Sequence, residues 1–538
     1  MNDVISGSLL VRFMRVFKNV WKYSACAAVA VWLSSVFTSS RLYIFLSGAR
    51  QPAVRHSFIG TVYRGFHALV ASIGAKVGLW WRCGLLGRVL HAVRRWVGLR
   101  CENSAAFRFC KFIGFRRFII ICFAMYIPLD VAVRAFVPIE WFVSIWDEAF
   151  MLLGLAYVVV RRARGRAPKG TRLSAVDMPL GLFFVTGLCL MLIVSPDMLI
   201  AVEGARAVIQ YLPWFYIMIR LLETDDDLHT FLFSFVALGV GMGLHALYQY
   251  AVAEPIPAAW VTRTEEGVRT RAFSLPGSPN ILGSFFVFCA PIAAGFAYFF
   301  KKTPYKLAMW AAVGIMCLGC LFTHSRGAWL GLGLAIIIFA LLADKKLLLI
   351  GLLAGLGVII IVPEATSRLL FLFTPAFTEA TASGGRAMRW EFGYELLAKN
   401  PVFGYGLGRF GGAVAMHNQI DKDIVYFYLD NYYLKTAVEM GYSGLLTYLL
   451  TLATTVVTGI KSAIRSRAYG MSPLASGLLA GLCGVLLHCY YENIFEVPYM
   501  NAYFYGLAAA MVYIGYFRNM RPAANGEKIT KLRSIFNV

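Results

Sequence analysis

The chain has 538 residues, of which 59% are hydrophobic and only 15% charged, and its mean hydropathy is +0.66. Such a sequence cannot close a polar surface around a buried core, so a water-soluble globular protein is excluded and lipid is the expected solvent. The net charge of +23 does not point to nucleic acid, because the basic residues sit in short clusters between apolar runs, as in the cytoplasmic loops of membrane proteins.

Residues 1–117 hold 18 Lys and Arg against two acids, Asp3 and Glu102. Stretches such as "WWRCGLLGRVLHAVRRWVGLR" read as basic, aromatic-rich helices lying on an anionic leaflet. Met1 to Lys22 shows no cleavable signal and reads as an interfacial helix, while 26–46 is a weak candidate span. The expected organisation is a membrane-associated extension over 1–116, a polytopic domain over 117–517 and a cytoplasmic tail over 518–538.

From Arg116 onward, apolar runs long enough to cross a hydrocarbon core of about 30 Å predict twelve spans. They centre near residues 127, 150, 187, 210, 238, 290, 313, 335, 354, 450, 482 and 507. The fold class is an all-α integral membrane protein with about 12 transmembrane helices and one large extracytoplasmic loop, 363–431. "RRARGRAPKGTR" (161–172), "KKTPYK" (301–306), "DKK" (344–346), "KSAIRSR" (461–467) and the basic tail all fall on one side, which the positive-inside rule makes cytoplasmic. The acidic turn "ETDDDLH" (223–229) lands there too. The opposite face receives 250–279, the turn around "THSRG" (323–327), 363–431 and "YENIFEVP" (491–498). A loop of that length is more than a connection and reads as a lid or binding element.

The eleven cysteines avoid the two longest loops, so no disulfide framework is expected. Cys317 and Cys320 form a C-x-x-C inside an apolar helix with no second ligand pair. Helix packing is the expected role, with no metal and no cofactor.

Three arginines converge on the outer face. They are Arg271 in "RTRAFSLPGSPN", Arg326 in "THSRGAWLGLG" and Arg386 in "SGGRAMRWEFG". An arginine at the membrane end of two apolar helices, such as Arg326, either meets an anion or a water-filled cavity, or snorkels to headgroups. Guanidinium forks match phosphate oxygens and keep their charge. Asp430 and Asn431 end the long loop, and Gly441 and Gly444 open the next span, where they permit close helix approach or a break and so can hold a short helix against the membrane surface. Asp430 reads either as a helix N-cap or as a carboxylate facing the arginines. The segment "NPVFGYGLGRFGG" (400–412) is a Pro- and Gly-rich turn. With no βαβ unit around it, it is no dinucleotide fingerprint.

Taken in order, these pieces resemble the bacterial O-antigen ligase and polymerase superfamily, lipid-linked glycan transferases of the GT-C type. The likeness covers roughly 117–517. It rests on Arg271 before Gly277, Pro279 and Asn280; on Ser325, Arg326 and Gly327 between two spans; on Gly385 and Arg386 in the large loop; on "NPVFGYGLGRF"; and on a short motif entering a span with two glycines. One departure stands out: ligases of this family usually carry His-Asn where this chain has Asp430 and Asn431, which favours the polymerase branch. The resemblance implies inverting, metal-independent transfer of a glycan from a polyprenyl diphosphate to a glycan hydroxyl at the bacterial inner membrane, with the active face extracytoplasmic. Asp430, Arg326 and Arg271 are the implied catalytic residues, the arginines holding Asp430 ionised. Arg386, Asn431, Ser325, Asn280 and Tyr433 are the implied substrate-binding residues, and His324 and His417 are alternative bases. Partners are the lipid-linked glycan, membrane lipid and a chain-length regulator. A ligase, a protein O-oligosaccharyltransferase and, in another class, a lipid-linked glycan transporter are the competing readings.

Overall fold

A computed structural model describes residues 104–163, 172–255, 270–361, 385–418 and 428–518, with a few isolated positions elsewhere. The expected interfacial helices of 1–103, most of 363–384, residues 419–427 and the tail from 519 lie outside the described residues. The chain forms two compact units. In the first, Met1–Ala68 with Leu173–Met178, the backbone N and hydroxyl of Ser174 both donate to Asp177 at 2.6 Å. The second is Leu69–Arg172 with Pro179–Val538, and apart from the first two residues of α4 it holds the features described below.

Among the described residues all regular structure is helical. The α-helices are α1 Ala105–Ala124, α2 Tyr126–Phe136, α3 Glu140–Ala163, α4 Asp177–Ile193, α5 Met198–Val208, α6 Pro213–Leu221, α7 Asp225–Val252, α8 Pro279–Phe299, α9 Thr303–Phe322, α10 Arg326–Leu342, α11 Lys346–Ile361, α12 Arg386–Lys399, α13 Ala413–Asn418, α14 Tyr432–Arg465, α15 Ser472–His488 and α16 Pro498–Val512. Helix stands at or beside each of the twelve expected centres, but the helices are not equal. By length and composition α3, α7, α8, α9 and α14 can each cross a membrane, whereas α4, α10, α11 and α15 are shorter apolar helices.

Two expected spans are broken. Near residue 127 the chain bends by 82° between α1 and α2. Pro128 has no amide to offer the carbonyl of Ala124 and its ring crowds that carbonyl. The hydroxyl of Tyr503 fills the gap, donating to Ala124 O (2.9 Å) and accepting from Ile127 N (3.3 Å). Near residue 210 the expected single span is α5 followed by α6, with Pro213 at the first turn of the second helix. Hydropathy registers neither break, because proline changes the backbone without changing the average polarity of the window.

α8 is buried nearly all round and packs against α7, α9, α10 and α15. Close approach is bought by small residues: a Cβ at Gly477 of α15 would stand 2.3 Å from the Pro291 carbonyl, and one at Gly481 2.8 Å from that of Phe288. This is the small-xxx-small packing that membrane helices use where the hydrophobic effect gives no drive between them. Cys317 and Cys320 are free thiols within α9, and the Cys320 thiol points at the Gly283 carbonyl of α8 (3.9 Å).

α7 has a charged group at each end. At its start, Glu223, Asp225, Asp226 and Asp227 meet Arg116, Arg117, Arg161 and Arg518. Asp227 is fully buried, bonds Arg116 at 2.8 Å and Arg117 at 3.2 Å, and closes a capping box with Thr224. At its other end, Gln249 accepts from the backbone N of Phe273 (3.1 Å) and Ser274 (2.8 Å), which ties the segment bearing Arg271 to α7.

Candidate active site

The site end is organised by a helix that is interrupted. Inside α14, Gly441 takes φ 64° and ψ −172°, a conformation open essentially to glycine. The break strands backbone groups on both sides, and the 400–406 turn supplies their partners. Tyr405 N donates to Val438 O (3.0 Å) and Gly406 N to Glu439 O (2.9 Å), while Tyr442 N and Ser443 N donate to the carbonyls of Pro401 (2.7 Å) and Val402 (3.2 Å). The Pro- and Gly-rich motif is thus the cap of a broken helix, as buried backbone polarity requires.

The described part of the large loop is packed. Leu396 and Leu397 of α12, Phe410, Leu429, and Leu434, Ala437 and Val438 of α14 form a small core, each buried leucine contributing about 1.5–3 kcal/mol. Beneath it the Lys435 ammonium bonds Glu439 (2.7 Å) and Glu496 (3.2 Å). Gly412 lies so close that a Cβ there would stand 1.8 Å from a Glu496 oxygen. α12 is fastened to the chain before α14 by Arg389, which donates to Tyr428 O (2.6 Å), and by the Trp390 indole, which donates to Leu429 O (3.1 Å).

This arrangement separates the two readings of Asp430. The N-cap of α14 is Asn431, whose side-chain oxygen accepts from Tyr433 N (3.1 Å) and Leu434 N (3.0 Å). Asp430 stands one residue earlier at φ 53°, a left-handed conformation that turns its carboxylate to Arg389 (2.8 Å) and Arg386 (3.5 Å). Burial raises the carboxyl's pKa above the usual range, outweighing the pull of Arg389 and Arg386 toward the charged form; the expected net lowering is not what the site produces. Arg389, which the sequence reading passed over, was signalled by its spacing from Arg386: residues at i and i+3 share a helix face.

Arg271 is buried. It donates from Nε to Thr323 O (2.9 Å) and from a terminal nitrogen to the Asn280 carbonyl oxygen (3.2 Å). Asn280 in turn donates its amide to Glu492. The "GSPN" turn that positions it has a role for each residue: Gly277 takes φ 67°, Ser278 caps α8, and Pro279 opens the helix. Ser325 caps α10, its hydroxyl lying 3.5 Å from His488 Nε2, and the other ring nitrogen of His488 meets Ser284 at 2.6 Å. Gly327 follows because a Cβ there would stand 2.4 Å from the His488 ring. The backbone bearing Arg326 is thereby pressed against the turn that carries Glu492.

Of the remaining expected residues, Tyr433 donates its hydroxyl to Leu486 O (2.7 Å). His324 is 1% exposed between the rings of Tyr250 and Trp329. His417 is exposed on the short helix α13. Glu492 is the residue that sequence reasoning missed. It lies in "YENIFEVP", a segment expected on the outer face, and nothing in the spacing of its two acids, Glu492 and Glu496, singles out the first.

Residues 311–449 match the family model described as O-antigen ligase. Over that stretch the chain is similar to the O-antigen ligase family, which supports the O-antigen ligase and polymerase superfamily. The matched stretch runs from α9 into α14 and includes Arg326, Arg386, Arg389, Asp430 and Asn431, whereas Arg271, Asn280 and Glu492 lie outside it. The family is one of glycosyltransferase-like membrane proteins of surface polysaccharide synthesis. A search of curated proteins gave no match.

Proposed function

We infer that this membrane protein moves a glycan from a polyprenyl diphosphate carrier to the hydroxyl of a second glycan, as a repeat-unit polymerase. The observation that carries the reading is the gathering of Arg271, Arg386 and Arg389, with the backbone of Arg326, at one end of the bundle around two carboxylates, Asp430 and Glu492. Diphosphate is already a good leaving group. What the protein must supply is neutralisation of the charge that develops on it and alignment of the acceptor. Guanidinium groups meet the first need in a partly desolvated site, where attraction far exceeds the value of about 1 kcal/mol for a pair 4 Å apart in water. Inversion follows from a single displacement at the anomeric carbon, with one carboxylate receiving the acceptor proton. The segregation of Lys and Arg supports an extracytoplasmic site in a bacterial inner membrane.

The aspartate that replaces the ligases' usual histidine favours a polymerase over a ligase or a protein O-oligosaccharyltransferase. The deciding experiment incubates purified protein with a synthetic polyprenyl-diphosphate oligosaccharide, alone and with lipid or peptide acceptors. Lengthened lipid-linked glycan with release of polyprenyl diphosphate is the expected product. Glycan appearing only on lipid A or peptide would make it a ligase or protein transferase, and movement of intact donor across a vesicle bilayer without bond cleavage would make it a transporter.

A further inference from the structure

The two carboxylates of the site are held differently. Asp430 is clamped by two guanidinium groups, Arg389 at 2.8 Å and Arg386 at 3.5 Å, and adopts a left-handed backbone to reach them. Glu492 is 7% exposed in the turn between α15 and α16. Among the described residues no lysine or arginine stands within ion-pair distance of it. One of its oxygens accepts from the Asn280 amide and the other from the backbone N of Asn493 (3.2 Å), which leaves each with a further lone pair. Asn280 cannot turn over without losing Arg271, because its carbonyl oxygen accepts from that guanidinium. The amide therefore always presents its donor to Glu492. A chain of contacts thus runs from Arg271 through Asn280 to Glu492.

We propose that Glu492 takes the proton from the acceptor hydroxyl, and that Asp430 is a positioning residue that holds Arg386 and Arg389 ready for the donor diphosphate. This rests on the glycosyl-transfer reading above. In the step, an acceptor oxygen forms a bond to the donor's anomeric carbon, and the bond from that carbon to the diphosphate oxygen breaks. Its electron pair leaves on the polyprenyl diphosphate, and the acceptor proton passes to a Glu492 oxygen and then to water. Of two buried carboxylates, the one that serves two guanidinium groups is the poorer proton acceptor, and the one without an ion-pair partner is the better. Burial first, and then the charge of Asp430, push the Glu492 carboxyl up to about 7, with Arg386 opposing. The other groups facing it are Tyr428, Asn280, Asn493 and Cys489. A base must be unprotonated to act, so the rate rises with pH through that value and is flat above it.

The test uses the full chain in nanodiscs and the synthetic polyprenyl-diphosphate oligosaccharide, and measures product, released carrier and donor binding from about pH 5 to 9. Glu492→Gln is expected to lower kcat by about 10²–10⁴-fold with donor Kd unchanged, and Glu492→Asp to recover part of the rate with a displaced acidic limb. Asp430→Asn is expected to raise the donor KM and, by removing a negative charge that raises the Glu492 carboxyl, to move the acidic limb to lower pH without abolishing it. An active wild type whose Glu492→Gln form keeps its kcat and acidic limb overturns the assignment alone. So does a Glu492→Gln form that no longer binds donor, with Glu492→Asp no better, since Glu492 would then be structural. A wild type that releases no carrier with any acceptor defeats the transfer reading and the assignment together.

Discussion

Arginines gather at both ends of α7, and the contrast between the two groups separates architecture from function. At the start of the helix, four acids meet four arginines and Asp227 is sealed from solvent. Every charge there is answered from within the chain. At the far end, Arg386 and Arg389 share the carboxylate of Asp430, and Glu492 accepts from the Asn280 amide and the backbone N of Asn493. A cluster whose charges close on themselves holds a fold together. One in which two guanidinium groups share a single carboxylate is prepared for an anion that comes from outside.

The comparison predicts opposite signatures for substitutions at the two ends. The largest effect is expected for Asp227→Ala, which leaves two arginines beside a buried gap and should cost about 3–5 kcal/mol of stability. Thermal unfolding in detergent should show a clear loss, while turnover per folded molecule stays at the wild-type level. If turnover falls with stability unchanged, that end is not architectural. Next is Arg326→Ala, expected to lower kcat by about 10²–10³-fold, equivalent to about 2.7–4 kcal/mol of transition-state stabilisation, at unchanged melting temperature. Arg326→Lys should be nearly as impaired, because an ammonium cannot place two parallel hydrogen bonds. Near-normal turnover in both variants would return Arg326 to snorkelling.

Two smaller effects divide scaffold from ligand-facing residues within the site end. Gly441→Ala forces a side chain into a left-handed conformation, with its Cβ 2.3 Å from the Val402 backbone. It should cost about 1–3 kcal/mol and loosen the 400–406 turn, which limited proteolysis would detect. The smallest effect is expected at the cap. Asn431→Ala should lose about 1 kcal/mol, whereas Asn431→Asp, an equally good cap, should lose almost nothing in stability. Equal losses in the two would mean that Asn431 does more than cap α14.

The neighbours Asp430 and Asn431 show where sequence reading stops. Both are good caps by type, and nothing in the order of letters says which one the helix uses. The choice depends on where α12 lies, because Arg386 and Arg389 draw Asp430 out of line and leave Asn431 to the helix. The arginines were legible for a different reason. A permanent charge at the end of an apolar run conflicts with its surroundings, and such conflicts stand out in one dimension.

The sequence by itself determined the helical class and the position of nearly every apolar helix, because hydropathy acts through local periodicity and composition, while at Gly441 and Gly444 it left a close helix approach and a break equally open. The tertiary structure decided the rest. It bent the chain between α1 and α2, divided the expected span near 210, turned the 400–406 motif into the cap of a broken helix and set Glu492 beside Asn280, a residue 212 positions away. These outcomes depend on which stranded carbonyl meets which donor and which carboxylate meets which cation, and such pairings are fixed only when distant segments pack together.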